Sequence, residues 1–315
     1  MGSGLTDIKG VKVGVASKPE AATGVTVVLV EDGARAAVEV RGSAPGTRET
    51  DLLKPGQLIE EIQGLVLAGG SAFGLDAATG VMRYLEERNH GFPVGGFIVP
   101  IVPAAVLFDL LIGDGRIRPE AEMGYQACLA ASTDPVVEGS VGAGSGATVG
   151  NIYGIQNSVK SGQGSVSLYK DQLIVSALMV VNAFGDIFNQ AGNLLAGPRN
   201  PETGFMERTA DLMIKMSETG VPGNTTLGVV ATNAAFDSTA LTKVCQLAHN
   251  GLARSVWPVH TMFDGDTIFA LSKGNIKADL NLVGLMAAEA VAGAVERAAL
   301  MATSLCNVPA LQDLK

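Results

Sequence analysis

The stretch Val221-Pro-Gly-Asn-Thr-Thr-Leu-Gly-Val-Val-Ala-Thr-Asn233 joins a turn-forming segment directly to an apolar, β-branched segment. Its first part, Pro-Gly-Asn224, favours a turn, and the run from Leu227 to Ala231 favours a buried strand. The sequence therefore predicts that Thr225 lies at the mouth of a buried strand.

Thr225 gains a specific chemistry if the peptide bond after Asn224 is cut. A threonine hydroxyl is a poor nucleophile at its ordinary pKa, but an N-terminal amine with a pKa near ~8 can serve as its general base. No histidine is then needed, which suits a chain with three histidines. The same residues are also ordinary turn and strand-start residues, and Asn-Thr-Thr fits the N-glycosylation sequon.

Composition limits the classes of protein to which the chain can belong. Its 315 residues are 47% hydrophobic and 17% charged and include 40 glycines, which is typical of a tightly packed globular interior and not of disorder. The net charge is −9 and there is no basic cluster, which argues against nucleic acid as a partner.

The cysteines and the chain start carry further expectations. Cys128, Cys245 and Cys306 are far apart and odd in number, so neither a disulfide framework nor a zinc site is expected, and we expect no cofactor or metal. The start lacks the pattern of a signal peptide, and no run of about 18 apolar residues predicts a membrane span. We therefore expect a cytoplasmic protein without membrane contacts.

Strand and helix patterns alternate irregularly along the chain, without the spacing of a doubly wound sheet. We predict a layered α/β sandwich that forms a single domain over residues 1–315, with a polar surface excursion at 197–223. Strands are predicted at 11–15, 23–30, 34–40, 65–71, 164–168, 173–181, 227–231 and 267–271, and helices at 74–87, 121–132, 238–254 and 282–305.

Two carboxylates flank one glycine in Asp264-Gly-Asp266, just before an apolar strand. On extended backbone, residues two apart face the same side, so both carboxylates can point into one site, where one pKa should rise. Such a pair can store a proton near a nucleophile or bind an ammonium group. The alternatives are an exposed acidic turn, or a His–Asp pair with His260, although the chain has no Gly-x-Ser-x-Gly elbow.

Two further segments have polar or glycine-rich patterns. Asn182 ends a predicted strand, where its amide can donate to a developing oxyanion or simply form a turn. Gly142-Ala-Gly-Ser-Gly146 lacks the Gly-Lys-Ser/Thr ending of a phosphate loop. We interpret its glycines as allowing backbone to approach a ligand or another layer.

Taken together, five segments resemble the DmpA/BapA-type family of self-processing aminopeptidases and amidases, which are N-terminal nucleophile hydrolases. The resemblance extends from Gly10 to the last helix, and the Asp-Gly-Asp version is similar to the nylon-oligomer (6-aminohexanoate oligomer) hydrolase branch. The segments are Gly42 to Asp51, Gly69 to Ala77, Gly142 to Gly150, Gly223-Asn-Thr-Thr226 and Asp264-Gly-Asp266.

The resemblance implies a four-layer αββα sandwich, self-cleavage between Asn224 and Thr225, and assembly as a homotetramer. The α chain would be residues 1–224 and the β chain residues 225–315. The implied roles are Thr225 as nucleophile with its α-amine as base, Asp264 and Asp266 as groups that orient and tune it, and Asn182 as an oxyanion contact.

Two positions depart from the pattern of the nylon-hydrolase branch. Asn151 stands where that branch has a lysine, and Phe108 stands where it has a tyrosine. Asn151 can donate hydrogen bonds but cannot supply a cation. Tyr125 and Lys160 are candidates to replace the missing group.

The resulting hypothesis is an amide-bond hydrolase that acts on short peptides, amino-acid amides or ω-amino-acid oligomers with a free amine. One alternative is an aminopeptidase for α- or β-peptides. Another is an uncleaved binding protein of the same fold, which the residues Asn151 and Phe108 favour.

Denaturing electrophoresis and N-terminal sequencing test the predicted cleavage. We expect two fragments, the smaller of which begins at Thr225. A single full-length band after prolonged incubation, with no turnover of amino-acyl anilides, would favour the binding protein.

Overall fold

The computed structural model describes residues 4–216 and 223–314. In this part of the chain, each helix is too short or insufficiently apolar to cross a membrane. The α-helices are α1 (Ala77–Glu86), α2 (Ala121–Leu129), α3 (Thr209–Lys215), α4 (Ser238–Ser255) and α5 (Leu280–Leu300). The strands are β1 (Lys12–Lys18), β2 (Thr23–Val40), β3 (Gly46–Arg48), β4 (Glu61–Ala68), β5 (Phe92–Val94), β6 (Phe97–Val99), β7 (Ala104–Val106), β8 (Thr148–Val149), β9 (Val159–Lys160), β10 (Gln163–Lys170), β11 (Leu173–Asn182), β12 (Asp186–Phe188), β13 (Leu194–Ala196), β14 (Thr225–Ala234), β15 (Val256–Trp257) and β16 (Thr267–Ile276).

The largest sheet has the strand order β10-β11-β14-β16-β2-β4-β7-β3, with β1 added beside β2. The pairs β14–β16 and β4–β7 are parallel, and the other pairs of this sheet are antiparallel. The long strand β2 pairs with β1 and β4 mainly through its first half and with β16 through its second half. It therefore connects two parts of the sheet that can stack on each other.

Three apolar clusters separate these layers. One lies between α4–α5 and one face of β11, β14 and β16, as with Val230. The middle cluster joins the opposite face of those strands to β2 and β4, as with Val229 and Leu67. The third lies between β2–β4 and α1–α2, as with Val66. Because side chains alternate along a strand, both faces of each sheet part are buried, and the predicted four-layer αββα sandwich is confirmed.

Residues 23–30 and 34–40 are both strand as predicted, but the predicted break between them is absent. The separate strands predicted at 23–30 and 34–40 form the single strand β2, with a register shift against β4 between Leu29 and Ala34. Gly33, at φ +83°, supplies the left-handed backbone for that irregularity. The polar residues Glu31 and Asp32 therefore lie within a bulged strand.

The other predicted helices and strands are present with shifted ends. The predicted helix at 74–87 begins with a 3₁₀ segment, Ser71–Asp76, and the last helix ends at Leu300. The predicted polar excursion contains α3, and its residues 217–222 lie outside the described residues. Pro222, the first residue of the predicted turn before Asn224, is among them.

Close packing of α4 against α5 depends on small residues. A Cβ placed on Gly251 of α4 would lie 2.0 Å from the carbonyl oxygen of Ala288 in α5. Each helix begins at an aspartate that accepts a backbone hydrogen bond, from Ala240 to Asp237 and from Leu282 to Asp279. The two helices therefore have fixed starts and a contact that tolerates no side chain at position 251.

Gly251→Ala tests this contact. Helix propensity alone would stabilise the variant by about 1 kcal/mol. The contact with Ala288 should reverse the sign and destabilise it by about 1–3 kcal/mol, because overpacking shifts the helices apart. Urea unfolding measures the difference, with Asn250→Ala on the exposed face of α4 as the matched control. A Gly251→Ala protein more stable than wild type would contradict the packing.

Candidate active site

Two strand ends and one loop meet at a single edge of the sheet. Asn182, the last residue of β11, pairs in register with Thr225, the first residue of β14. Asn224 forms a parallel bridge with Asp264, and Asp266 immediately precedes β16. These five residues, which are far apart in sequence, are each at most 4% exposed. The structure therefore brings together all the residues predicted to be catalytic.

The carbonyl group of Asn224 is held from two sides. Its oxygen accepts a hydrogen bond from the Gly265 N–H at 2.9 Å and another from the Thr225 hydroxyl at 2.5 Å. A backbone N–H in this position can stabilise negative charge that develops on the oxygen. A Cβ on Gly265 would lie 2.8 Å from Thr225 Oγ1, so glycine allows this close approach. The sequence analysis named the flanking aspartates but not this amide.

Asp264 is a buried carboxylate with three donors. It accepts hydrogen bonds from the Thr261 N–H at 3.0 Å, the Thr261 hydroxyl at 2.5 Å and the Phe184 N–H at 3.3 Å. Burial and then the neighbouring charge of Asp266 raise the pKa of Asp264 to about 6. The rise is the one expected when two carboxylates share a buried site.

Asp266 holds both the start of β14 and a histidine. Its Oδ1 accepts the Thr226 N–H at 2.7 Å, and its Oδ2 accepts the His260 N–H at 3.1 Å and faces His260 Nδ1 at 2.8 Å. The His–Asp pair that the sequence left open is therefore present, with the imidazole stacked edge-on against His249 at 4.9 Å. Because Asp264 and Asp266 are each 1% exposed, the alternative of an exposed acidic turn is wrong.

The side-chain amide of Asn182 has a fixed orientation. Its Oδ1 accepts the Thr148 N–H at 3.0 Å, so its NH2 group points the other way. There Nδ2 donates to the carbonyl oxygens of Phe108 at 3.1 Å and Gly223 at 3.5 Å. The donor thus faces the segment that precedes the bond between Asn224 and Thr225.

Both departures from the nylon-hydrolase pattern lie beside this bond. Asn151 Nδ2 donates to Asn224 Oδ1 at 2.6 Å. The ring of Phe108 packs on Gly223, where a Cβ would lie 2.6 Å from Cδ1. Both residues line a recess that also includes Asn224 and Thr148. Where the nylon-hydrolase branch has the cation of a lysine, this chain therefore has the neutral amide of Asn151, which donates a hydrogen bond to the residue before the predicted cleavage.

Neither proposed substitute for that cation contacts Thr225. Tyr125 lies in the outer helical layer, where it donates to Glu87 at 2.7 Å and packs on Tyr84, so its predicted supporting role is not met. Lys160 is fully buried and donates to backbone carbonyls. Burial lowers the pKa of its ammonium group to about 7.

Asp109 is a site residue that the sequence analysis missed. It lines the same recess, is 4% exposed and accepts hydrogen bonds from the Gly70 N–H and the Thr23 hydroxyl, each at 2.7 Å. Burial raises the pKa of its carboxyl group to about 6. The one available signal was a charged residue within an otherwise apolar run, from Ile98 to Leu111.

Asp264→Asn tests the raised pKa of Asp264. A carboxyl pKa of about 6 in the folded chain, against about 3.9 when unfolded, means that the folded state binds the proton more tightly. The associated stability is present below about pH 4 and is lost as pH rises through 6. The asparagine variant lacks this loss. The difference in unfolding free energy between the variant and wild type should therefore change in favour of the variant by up to about 3 kcal/mol as pH rises from 4 to 7.

Urea unfolding at several pH values measures this difference, with Thr225→Ala introduced into both proteins so that the predicted cleavage cannot occur. The exposed Asp171→Asn variant is the control and should show no such relative gain. Parallel pH dependence of wild type and Asp264→Asn would show that the carboxyl group has its ordinary pKa.

Comparison with known proteins finds relatives that cover nearly the whole chain. An uncharacterized aminopeptidase of Mycobacterium tuberculosis is 39% identical to the chain, with 98% of this chain and 97% of that protein covered. A 6-aminohexanoate-oligomer endohydrolase of Kocuria sp. is 29% identical, with 93% of this chain and 85% of that protein covered.

Solved structures show the same fold. The L-aminopeptidase D-Ala-esterase/amidase of Ochrobactrum anthropi, described as a variant of the Ntn hydrolase fold, matches with a TM-score of 0.73 and 19% identity over 96% of this chain and 87% of that one. A β-aminopeptidase of Burkholderia sp. matches with a TM-score of 0.69 and 20% identity over 95% and 87%. Residues 3–309 match the family model described as peptidase family S58. The resemblance noted from the sequence is thus confirmed, and the chain belongs to peptidase family S58.

Proposed function

We propose that this member of peptidase family S58 is an amide-bond hydrolase that cuts its own chain between Asn224 and Thr225 and then uses Thr225 as an N-terminal nucleophile. The observation that carries the proposal is the carbonyl of Asn224, which lies between the Thr225 hydroxyl and the Gly265 N–H. A nucleophile and an oxyanion donor therefore meet at one peptide bond.

Self-cleavage begins when Thr225 Oγ1 attacks the carbonyl carbon of Asn224. Negative charge develops on the carbonyl oxygen, where the Gly265 N–H stabilises it. The C–N bond then breaks, and the nitrogen takes up the proton that the Thr225 hydroxyl loses, which makes it the α-amine of Thr225. An ester now joins Asn224 to Oγ1. Water hydrolyses the ester, which leaves the carboxylate of Asn224 and the free hydroxyl of Thr225.

The aspartates flanking Gly265 orient the new chain terminus. Asp264, with a pKa of about 6, is ionised at neutral pH and provides negative charge for the α-ammonium group. Asp266 holds the N–H of Thr226 and so fixes the first residues of β14 after the cut.

Substrate hydrolysis repeats the chemistry on a second molecule. Thr225 Oγ1 attacks the substrate amide carbonyl, the α-amine takes the hydroxyl proton, and the leaving amine receives it. The acyl ester formed on Oγ1 is then hydrolysed by water. The amide of Asn182, whose NH2 points into the same region, donates to the substrate oxyanion.

The recess beside Asn224 has a lining that is chemically compatible with an amine-bearing substrate, and in the uncut chain its cavity of about 30 Å³ has room for about one water molecule. Its lining is largely apolar, with Phe108, Leu111 and Ile155, and it includes the buried carboxylate of Asp109. Short peptides, amino-acid amides and ω-amino-acid oligomers combine apolar carbons with a cationic end. The names of the relatives cover aminopeptidase and 6-aminohexanoate-oligomer hydrolase activities, so α- and β-peptides remain the alternative substrates. Assembly as a homotetramer stays a prediction.

Thr225→Ala tests the nucleophile. The variant should stay a single chain of 315 residues and show no turnover, because the attacking oxygen is gone. Thr225→Ser should still cleave itself. Intact mass and an activity screen over amino-acyl amides, β-peptides and ω-amino-acid oligomers give both readouts.

Thr226→Val is the matched control. The Thr226 hydroxyl is buried, and within the described residues it has no hydrogen-bond partner, so a similarly shaped valine should leave cleavage and turnover intact. Turnover by Thr225→Ala, or wild-type activity in a chain that stays whole, would reject the proposed mechanism. A wild-type chain that neither cleaves nor turns over any of these substrates would favour the binding protein of the same fold.

A further inference from the structure

Lys160 is a fully buried lysine whose amino group has a set of backbone acceptors. Its Nζ donates to the carbonyl oxygens of Ser161 at 2.6 Å, Ala147 at 2.8 Å and Gly144 at 3.2 Å. The side chain is 0% exposed. An ammonium group has three donors and no acceptor, so these three bonds use its whole hydrogen-bonding capacity.

Two of the three acceptors belong to the glycine-rich loop. The loop forms a buried 3₁₀ segment, Gly142–Gly146, that is followed by β8. A Cβ on Gly144 would lie 2.6 Å from the backbone nitrogen of Gln163, and one on Gly146 would lie 2.4 Å from Asp109 Cβ. The glycines let the loop approach its neighbours, but they provide no side chains to hold it. The start of the loop is held by the hydroxyls of Ser17 and Thr26, which accept from the N–H groups of Gly142 and Ala143, and Lys160 adds contacts to its later carbonyls, those of Gly144 and Ala147.

The residue that follows the loop, Thr148, contacts Asn182. Thr148, one residue after Ala147, pairs with Lys160 in the β8–β9 ladder. Its N–H donates to Asn182 Oδ1 at 3.0 Å, and this bond determines which way the amide of Asn182 points. A shift of the loop would therefore rotate or release the NH2 group of Asn182.

We propose that Lys160 is a positioning residue for substrate hydrolysis: its bonds to Gly144 and Ala147 hold Thr148, and Thr148 orients the oxyanion donor Asn182. The inference rests on the proposed function, because it needs Asn182 to act on the substrate oxyanion. In this proposal, Lys160 does not take over the role of the lysine that the nylon-hydrolase branch has at the position of Asn151. Lys160 acts on the loop and does not act on Thr225.

The proposal separates two reactions of the same nucleophile. In self-cleavage, the oxygen that becomes negative is that of Asn224, and Gly265 donates to it. Asn182 Nδ2 instead donates to Phe108 and Gly223 in the uncut chain. Loss of the Lys160 contacts should therefore slow substrate turnover much more than self-cleavage. A general loss of structure would slow both.

The experiment compares Lys160→Met, Lys160→Gln and Asn182→Ala with wild type, and adds the double variant Lys160→Met/Asn182→Ala. Loss of a single oxyanion donor lowers kcat by about 10²–10³-fold, and we expect this for Asn182→Ala. Misplacing the donor should cost Lys160→Met about 10–100-fold in kcat with little change in KM. Lys160→Gln retains two side-chain N–H donors and should lie between Lys160→Met and wild type.

The double variant decides whether Lys160 acts through Asn182. If it does, Lys160→Met should lower kcat by no more than about 3-fold once Asn182 is alanine, because interacting residues are not additive. Self-cleavage, followed on denaturing gels, should stay within about 3-fold of wild type in the Lys160 variants.

Several results would overturn the proposal. Equal loss of kcat in the presence and absence of Asn182, unchanged kcat in Lys160→Met, unchanged kcat in Asn182→Ala, or equal slowing of self-cleavage and turnover would each do so. If circular dichroism shows that both Lys160→Met and Lys160→Gln fail to fold, the residue serves folding and the positioning role is rejected. These outcomes leave the role of Thr225 untouched, which Thr225→Ala tests separately.

Discussion

The candidate site depends on how one peptide carbonyl is held. The oxygen of Asn224 receives the Gly265 N–H and the Thr225 hydroxyl, and this contact exists because Asn224 bridges Asp264 at the edge of the sheet. A backbone donor fixed by the sheet needs little reorganisation when charge develops on the oxygen. The bridge between Asn224 and Asp264 thus also places the Gly265 N–H at the carbonyl oxygen that becomes negative in the proposed cleavage.

The αββα layers explain why such an edge is rigid. β14 lies between an antiparallel neighbour, β11, and a parallel neighbour, β16, and both of its faces are buried against apolar layers. A register slip by one residue would turn every side chain of a strand to the opposite face. The positions of Thr225 against Asn182 and of Asn224 against Asp264 are therefore fixed by packing throughout the sandwich.

The charges around the site are buried and are paired with specific donors or acceptors. Burial raises the pKa of Asp264 and Asp109 to about 6 and lowers that of Lys160 to about 7, so each of these groups is shifted towards its neutral form. Hydrogen bonds to Thr261, Gly70 and the loop carbonyls offset part of that cost. Such shifts bring the pKa values of these groups close to neutral pH, although the roles proposed here for Asp264 and Lys160 are to provide charge and to hold the loop.

The sequence by itself determined the layered fold class, a buried strand at 227–231 with Thr225 at its mouth, and the shared direction of Asp264 and Asp266. These follow from local patterns, because alternation and turn residues fix where a strand starts and which side chains share a face. Only the tertiary structure decided that Gly265 donates to Asn224, that Asn151 contacts Asn224 and that Tyr125 lies in another layer. Each residue other than proline carries a backbone N–H, so the sequence does not show which of them donates to Asn224. Contacts between residues that are far apart in sequence depend on how the layers pack.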